Sequence, residues 1–321
     1  AAGRGLAAVT PPTPPPAAVR VGAAVVPFNR LSLLTEVVDR LGQVPGLAEV
    51  LVLDNASTDG TGEWLAARDR TGATPLLTRS APENRGGAGG FHDGLQWAVE
   101  RGADLAWLMD DDGLPDPDCL ARLMRHHGTL DFWGPLVVDR DDPERLVFPI
   151  RLPRGSQVLS DLSSVRAAAS DGLLRDVVIP FNGVLVTRDL VERIGLVREE
   201  MFIWGDDHEY RLRAERAGAR IATVTDARVL HPRVGDLGTP MLGGRMTYNH
   251  SPSDLKHYCM ARNNVVNLRE YRGGLHALAF VAKTVWFYSF TRPDVARLRL
   301  SFQAFVAALR GDFTGHRRFL R

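Results

Sequence analysis

Lysine is nearly absent from this chain: Lys256 and Lys283 are its only two among 39 basic residues, set against 38 acidic ones for a formal net charge of +1. Arginine supplies the rest, a skew that reads as GC-rich coding bias rather than a phosphate-binding surface. The balanced charge excludes a dedicated nucleic-acid binder. Cysteine is scarce as well. Cys119 and Cys259 lie far apart and neither sits in a C-x-x-C pair, which excludes a disulfide framework or zinc ribbon and points to a reducing compartment. Cys119 reads as a small core residue. No apolar run reaches the roughly 20 residues needed to cross a bilayer; the most apolar late stretch, Leu275 to Phe290, is interrupted by His276 and Lys283. The N-terminal "AAGRGLAAVTPPTPPPAAVR" lacks the apolar core of a signal peptide, and its prolines predict a mobile, partly polyproline arm over residues 1–19. There is no phosphate loop, nucleophile elbow, Cys–His pairing or internal repeat.

What is present suits an enzyme. With 321 residues, 45 % hydrophobic and 24 % charged, the chain can bury one large α/β core, or a catalytic domain with a smaller appendage. Apolar runs alternate with helical patterns: strands at Val21–Val26, Val50–Leu53, Thr74–Thr78 and Leu105–Met109, helices at Leu31–Leu41, Thr61–Arg68, Ala88–Glu100 and Pro117–His126. Runs such as "VGAAVV" and "EVLVL" lack polar alternation, as parallel strands covered on both faces do, so a doubly wound, mostly parallel sheet is expected. The segment from Asp139 to about Asp176 has weak periodicity and reads as a surface excursion. Strand-like "VVIPFNGVLVTR" (177–188), a helix near Asp189–Ile194, a helix ending at Ala217 and a strand pair ending in "RVLHP" follow. A Gly-rich loop spans Val234–Gly244. Three helices, Asp254–Tyr271, Leu275–Phe290 and Asp294–Leu309, complete a helical C-terminal region.

Ligands of such sheets sit at the carboxyl ends of the strands. That rule selects "PFNR" (27–30), "DNASTDGT" (54–61), "ENRGGAGGF" (83–91) and "DDDG" (110–113). Three adjacent aspartates at the end of "AWLM" are costly unless a cation neutralises them. Hard divalent ions take carboxylate oxygens and keep positions open for phosphates, so a metal–diphosphate site is inferred, with an acidic turn before the next helix as the bland alternative. Asp54 suits a base or ribose, or a simple Asx turn or N-cap. The glycines of "ENRGGAGGF" permit close backbone approach at a helix start. His231 ends an apolar strand, as a structural residue or as an imidazole ligand favouring Mn²⁺. In "FIWGDDHEYRLR" (202–213), Asp206 and Asp207 open a helix that is either merely capped, with Asp207–Arg211 and Glu209–Arg213 at i,i+4 spacing, or carries a catalytic base.

Taken in order, "VPFNR", "VLDNASTDGT", "ENRGGAGGF", "WLMDDDG", "FNGVLV", "FIWGDDHEYRLRAERAG" and "HP" resemble the family 2 inverting glycosyltransferases across roughly residues 20–235. "GGAGGF", the triple aspartate and "WGDDHEYRLR" are most similar to the galactofuranosyltransferases that build cell-wall galactan, in particular the initiating enzyme acting on a rhamnosyl–GlcNAc-diphosphate-polyprenol. The resemblance implies a GT-A fold with a catalytic domain over 20–235 and a helical region over 236–321. It implies Asp207 as base and Asp110, Asp112 and His231 as ligands of Mn²⁺ or Mg²⁺. Around the nucleotide-sugar it places Pro27, Asn29, Arg30, Asp54, Asn84, Gly86, Gly87, Gly89, Gly90, Asp110 and Asp111, and toward the acceptor Trp204, Asp206 and Asn182. "HYCMARNN" (257–264) is similar to a Y-Y-x-x-R-N helix, which would bring Arg262 to the acceptor or diphosphate; an ordinary helix face explains the same residues.

The implied partners are a UDP-sugar donor, UDP-galactofuranose, and a lipid-linked glycan acceptor. Val295, Leu298, Phe302, Phe305, Val306 and Leu309 fall on one helical face, near Arg292, Arg297, Arg299, Arg310, Arg317 and Arg318. That stripe fits an anionic membrane, placing the protein on the inner face of the plasma membrane, or packing against the catalytic domain or a second subunit. The rival readings are a rhamnosyltransferase using dTDP-rhamnose and a non-catalytic carbohydrate-binding protein on the same fold.

Overall fold

The computed structural model describes residues 18–68, 74–153, 157–234 and 238–320. The expected N-terminal arm lies, up to residue 17, outside the described residues. The chain then alternates strand and helix: β1 (Val21–Val26), α1 (Leu31–Leu41), β2 (Glu49–Asp54), α2 (Thr61–Ala67), β3 (Leu76–Ser80), α3 (Gly86–Glu100) and β4 (Leu105–Asp110). All six residues of β1 and of β2 are buried, because helices cover both faces. Next come β5 (Leu114–Pro115), α4 (Cys119–Met124), β6 (Phe132–Asp139), β7 (Arg145–Arg151), β8 (Val158–Asp161), α5 (Leu162–Ala168), β9 (Leu173–Arg175), β10 (Asn182–Thr187), α6 (Arg188–Ile194), α7 (Asp206–Arg216) and β11 (Ile221–His231).

The main sheet runs β3-β2-β1-β4-β10-β6-β11-β5. It is parallel through β3, β2, β1 and β4; β10 then enters antiparallel between β4 and β6, and β11 returns parallel to β6. Two cores flank it. One joins α1 and α4 to one face through Leu34, Val37, Leu41 and Leu120; the other joins α3, α6 and α7 to the opposite face through Phe91, Leu95, Leu190 and Tyr210.

The segment 139–176 is more ordered than its weak periodicity suggests. β7 and β8 pair antiparallel, α5 opens with a capping box between Asp161 and Ser164, and Leu146, Ile150, Leu159, Leu162 and Val165 bury one another. Pro149 and the irregular exposure of "RLVFPIR" obscure that pattern in the sequence. The Gly-rich stretch expected as a loop contains part of a hairpin, β12 (Thr239–Met241) with β13 (Met246–Tyr248).

Three helices close the chain: α8 (Asp254–Tyr271), α9 (Gly274–Trp286) and α10 (Val295–Arg310), with a π-helical turn at Phe287–Thr291. α8 packs against α7, α9 and α10. The apolar stripe expected on α10 divides: Phe305 is buried and Leu298 packs inward, whereas Val295, Phe302, Val306 and Leu309 face solvent. Among the described residues no helix is long and apolar enough to cross a membrane.

α3 lies unusually close to β1. A Cβ on Gly90 would sit 2.1 Å from Val26 Cγ1. Gly90→Ala is therefore expected to lower stability by about 1–3 kcal/mol through overpacking, measured by denaturant unfolding; an unchanged midpoint would show that the two elements separate freely.

Candidate active site

The loops after β1 and β2 are stapled together by short polar side chains. Asn29, at φ 54°, accepts from Thr58 N through Oδ1 at 2.7 Å, and its own N–H donates to Ser57 Oγ at 3.0 Å. Asp59 Oδ2 accepts from Leu31 N at 2.9 Å. Asp54, buried at the end of β2, accepts from Ser57 N at 3.1 Å, a cap-like bond three residues on that engages one carboxylate oxygen. Asn55, the next residue, fastens the following loop: its amide donates to Asn84 Oδ1 at 3.2 Å and Gly86 O at 2.9 Å, and its side-chain carbonyl accepts from Arg85 N at 3.0 Å.

The Gly-rich segment opens α3, but much of its close approach is to protein. A Cβ on Gly86 would lie 2.0 Å from Phe202 O, Gly89 is packed under Arg85, and Gly90 lies on Val26; only Gly87 of the four faces open space. Asn84 accepts from Gly86 N at 2.8 Å. Pro27 is buried, and its carbonyl accepts from Asn55 N at 3.0 Å.

β4 delivers Asp110 and the buried Asp111 and Asp112. The two-residue β5 then pairs with β11, Leu114 opposite Leu230, which draws the aspartates to His231 at the end of β11. Asp112 Oδ1 comes within 3.0 Å of His231 Nε2. Arg30 reaches back from the β1 loop to Asp112, and to Asp111 Oδ1 at 3.4 Å; Phe28 N donates to Asp111 Oδ2 at 3.2 Å. Asn182, at the start of β10 opposite Met109, donates to Pro180 O at 3.0 Å, while its buried Oδ1 has no partner.

Crowding and burial set the electrostatics. Burial first, then Asp112, Asp111 and Asp207, hold the Asp110 carboxyl well above its ordinary range. Burial likewise lifts Asp111 to about 6 against the pull of Arg30. For Asp112 burial is outweighed by His231 and Arg30, leaving it below the ordinary value; for His231 burial is outweighed by Asp112, leaving it raised.

Three features fit a divalent cation here. Ligand atoms of Asp110, Asp112 and His231 lie within 4.8 Å of one another. Asp112 Oδ1 is buried without an aligned donor, despite its closeness to the imidazole. His231 Nδ1 is 2.7 Å from Pro232 O, which can only accept, so Nδ1 carries the proton and Nε2 is the ligating nitrogen; Phe148 holds the ring edge-to-face at 5.3 Å.

α7 begins without a side-chain cap. Gly205, at φ 96°, is its N-cap, so Asp206 and Asp207 occupy the first helical turn instead of the capping position. Burial, followed by the Asp207 charge, pushes Asp206 up to about 8. Asp207 is also raised by burial, and accepts from His208 N at 2.7 Å. Glu209 is structural: fully buried, it receives Arg213 Nη2 at 2.9 Å and Tyr271 O–H at 2.5 Å. Trp204 is half-buried against the cluster of Met241, Tyr248, Met260, Phe287 and Tyr288.

Arg262 does not reach an acceptor or diphosphate. It is fully buried and donates to Met201 O at 2.8 Å, Phe313 O at 3.0 Å and Asn263 Oδ1 at 2.9 Å. Burial of α8 between α7 and α10 turns this arginine inward. Its neighbours Asn263 and Asn267, not singled out in the sequence, bind the backbone just before α7; the repeated asparagines at helical spacing, i and i+4, were the available signal.

Paired loops at the carboxyl ends of a parallel sheet, an acid cluster able to hold a metal, and the Asp207 charge close to Asp110 suit a glycosyl transferase. The family description "Glycosyl transferase family 2" matches residues 23–161. The galactofuranosyltransferase GlfT1 of Mycolicibacterium smegmatis is 33% identical over 288 residues, covering 87% of this chain and 93% of the relative. That of Mycobacterium tuberculosis H37Rv is 34% identical over 282 residues, covering 85% and 90%. The fold resembles the crystal structure of GalNAc-T7 with UDP, GalNAc and Mn²⁺, with TM-score 0.61 and 16% identity over 93% of this chain and 58% of that one. The chain belongs to the family 2 glycosyltransferases, among the galactofuranosyltransferases.

The raised acids have a measurable consequence in metal-free protein. A carboxyl whose folded value exceeds 3.8 contributes stability fully present below that pH and lost as pH rises, through about 6 for Asp111 and about 8 for Asp206. Wild type is therefore expected to lose more stability than Asp206→Asn between about pH 5 and 8. Added Mn²⁺ should raise the melting temperature more at the upper end, since its ligands must be deprotonated. Equal losses in the two proteins, or a metal increment that shrinks with pH, would contradict this.

Proposed function

We propose that the chain transfers galactofuranose from UDP-galactofuranose, with inversion, to a rhamnosyl–GlcNAc-diphosphate-polyprenol, beginning a cell-wall galactan. One observation carries the reading: Asp110, Asp112 and His231 converge within 4.8 Å, and Asp207, on a different element, lies close enough for its charge to raise Asp110. An inverting transfer needs a base on the acceptor side of the anomeric carbon and cationic stabilisation of the departing diphosphate on the other. The facing acid sets supply both sides.

Asp54 and the loop 27–30 hold the nucleoside, and Asp111 lies between that loop and the diphosphate. Asp110, Asp112 and His231 would hold Mn²⁺ or Mg²⁺, which when bound offsets the charge of the departing UDP. Arg30, already turned onto Asp111 and Asp112, is placed to move to the diphosphate when a cation satisfies those acids. Asp207 takes the acceptor hydroxyl proton. Asp206, protonated near neutral pH by its raised value, donates to the acceptor, and Trp204 and Asn182 border that sugar. The UDP and Mn²⁺ of the GalNAc-T7 structure support a UDP-sugar and a metal here by analogy of fold.

Residues 236–321 serve the acceptor side. Leu275, Leu278, Trp286, Phe290, Val295, Phe302 and Leu309 expose apolar surface beside Arg292, Arg299 and Arg310, which suits the anionic inner face of the membrane carrying a polyprenol acceptor. Flotation with anionic vesicles is expected and with neutral ones is not; equal recovery with both would exclude the electrostatic contribution.

Asp207→Asn should abolish transfer, by about 100-fold or more, while UDP binding in the presence of Mn²⁺ persists. Unchanged turnover would remove Asp207 from the chemistry. Asp112→Ala should instead weaken Mn²⁺-dependent UDP binding, read by titration; unaltered affinity would remove the acid cluster from the metal.

A further inference from the structure

The backbone just ahead of the acid pair is strained. Phe202 has φ 67° and ψ −63°, and Ile203 N donates back to Met201 O at 2.8 Å, the rarer and strained form of γ-turn. Trp204 follows at φ 65° and Gly205 at φ 96°. Left-handed φ at two large aromatic residues within three positions persists only where surrounding structure over-determines it.

That surrounding structure is specific. The two N–H groups of the Asn263 amide, on α8, are shared among Met201 O at 3.0 Å, Ile203 O at 3.1 Å and Trp204 O at 2.7 Å. Asn267, one turn later, donates to Gly205 O at 2.8 Å, and Arg262 adds Met201 O while its Nε fixes the Asn263 carbonyl at 2.9 Å. The remaining carbonyl, Phe202 O, accepts from Ala88 N at 3.0 Å over Gly86, where any side chain would collide. Every carbonyl from Met201 to Gly205 is thus held, four by α8 and one by the glycine-rich start of α3. Asn263 and Asn267 are themselves fully buried and touch neither acid cluster through the bonds described.

We propose that Asn263 is a positioning residue for the transfer: by holding the γ-turn it fixes the direction in which α7 leaves Gly205, and hence where the Asp207 carboxylate meets the acceptor hydroxyl. The bond from Ala88 ties this same turn to the donor-side loop, so base and nucleotide-sugar are held to one another across a single peptide. The inference rests on Asp207 being the base. A buried asparagine that bonds only this backbone and the buried Arg262 acts on the chemistry through the turn it holds. Because a misplacement of about 1 Å costs on the order of 100-fold in rate, relaxation of this turn should register in turnover before it registers in binding.

Asn263→Ala tests this with the full chain, in a transfer assay with Mn²⁺ and by UDP titration. The expected result is kcat down about 100-fold with the donor KM and UDP affinity within about twofold of wild type. Asn267→Ala, which removes a single bond to Gly205, should show the same split at smaller size and is the readout if Asn263→Ala does not fold. Adding Asp207→Asn to Asn263→Ala should slow transfer no further than Asp207→Asn alone, since the base is already out of line. Unchanged kcat with only a lowered melting temperature, or parallel loss of UDP affinity, would overturn the proposal. If Asp207→Asn alone leaves turnover intact, the base assignment fails, and this inference with it; if only the Asn263 arm shows no effect, the base assignment stands without it.

Discussion

Five carboxyl groups, Asp110, Asp111, Asp112, Asp206 and Asp207, converge at the carboxyl ends of the strands and the start of α7, and their mutual repulsion under burial is the constraint around which the site is built. Such a cluster is unfavourable for folding unless charge is neutralised or protons retained. Both remedies are present. Arg30 and His231 lie against Asp112, and Asp110, Asp111 and Asp206 retain protons more tightly than free carboxyls. The remainder of the requirement is the one a divalent cation meets, so the destabilising feature and the proposed catalytic one are the same feature.

The sheet alone does not hold such a site. Strand ends bring the acids near one another, but their aim depends on short polar side chains that bind loop backbone: Asn29 and Asp59 between the first two loops, Asn55 to the glycine-rich turn, and Asn263 and Asn267 to the segment before α7. Preorganisation of this kind is what lets charged groups act without reorganising during reaction. Burial at the start of α7 raises both neighbouring acids, Asp206 and Asp207, and the Asp207 charge is felt at Asp110 across the site.

Much of this was legible before the structure. β1, α1 and α8 have the expected limits, because their apolar patterns are long and their ends are marked by Pro27, Gly42 and the Ser253 cap. The acid cluster and His231 were found from strand ends carrying polar residues. What escaped depended on tertiary contact. The β7–β8 hairpin has its pattern broken by Pro149, and it buries its apolar residues against a local core that no short window reveals. Arg262 was misassigned because a helix motif does not say which face turns inward. Gly86 and Gly90 were read as openings for a ligand, yet the atoms that fill those openings, Phe202 O and Val26, come from residues 116 and 64 positions away in sequence. A glycine announces close approach without naming the partner.

The most direct measurement is a transfer assay with synthetic rhamnosyl–GlcNAc lipid acceptor and UDP-galactofuranose, with and without Mn²⁺, in which product mass and anomeric configuration are read together. A product heavier by whole hexose units, inverted at the new linkage and absent after chelation, is expected. Retained configuration, metal-independent turnover, or transfer only from dTDP-rhamnose would contradict the assignment of facing acid sets to base and metal in a galactofuranosyl transfer.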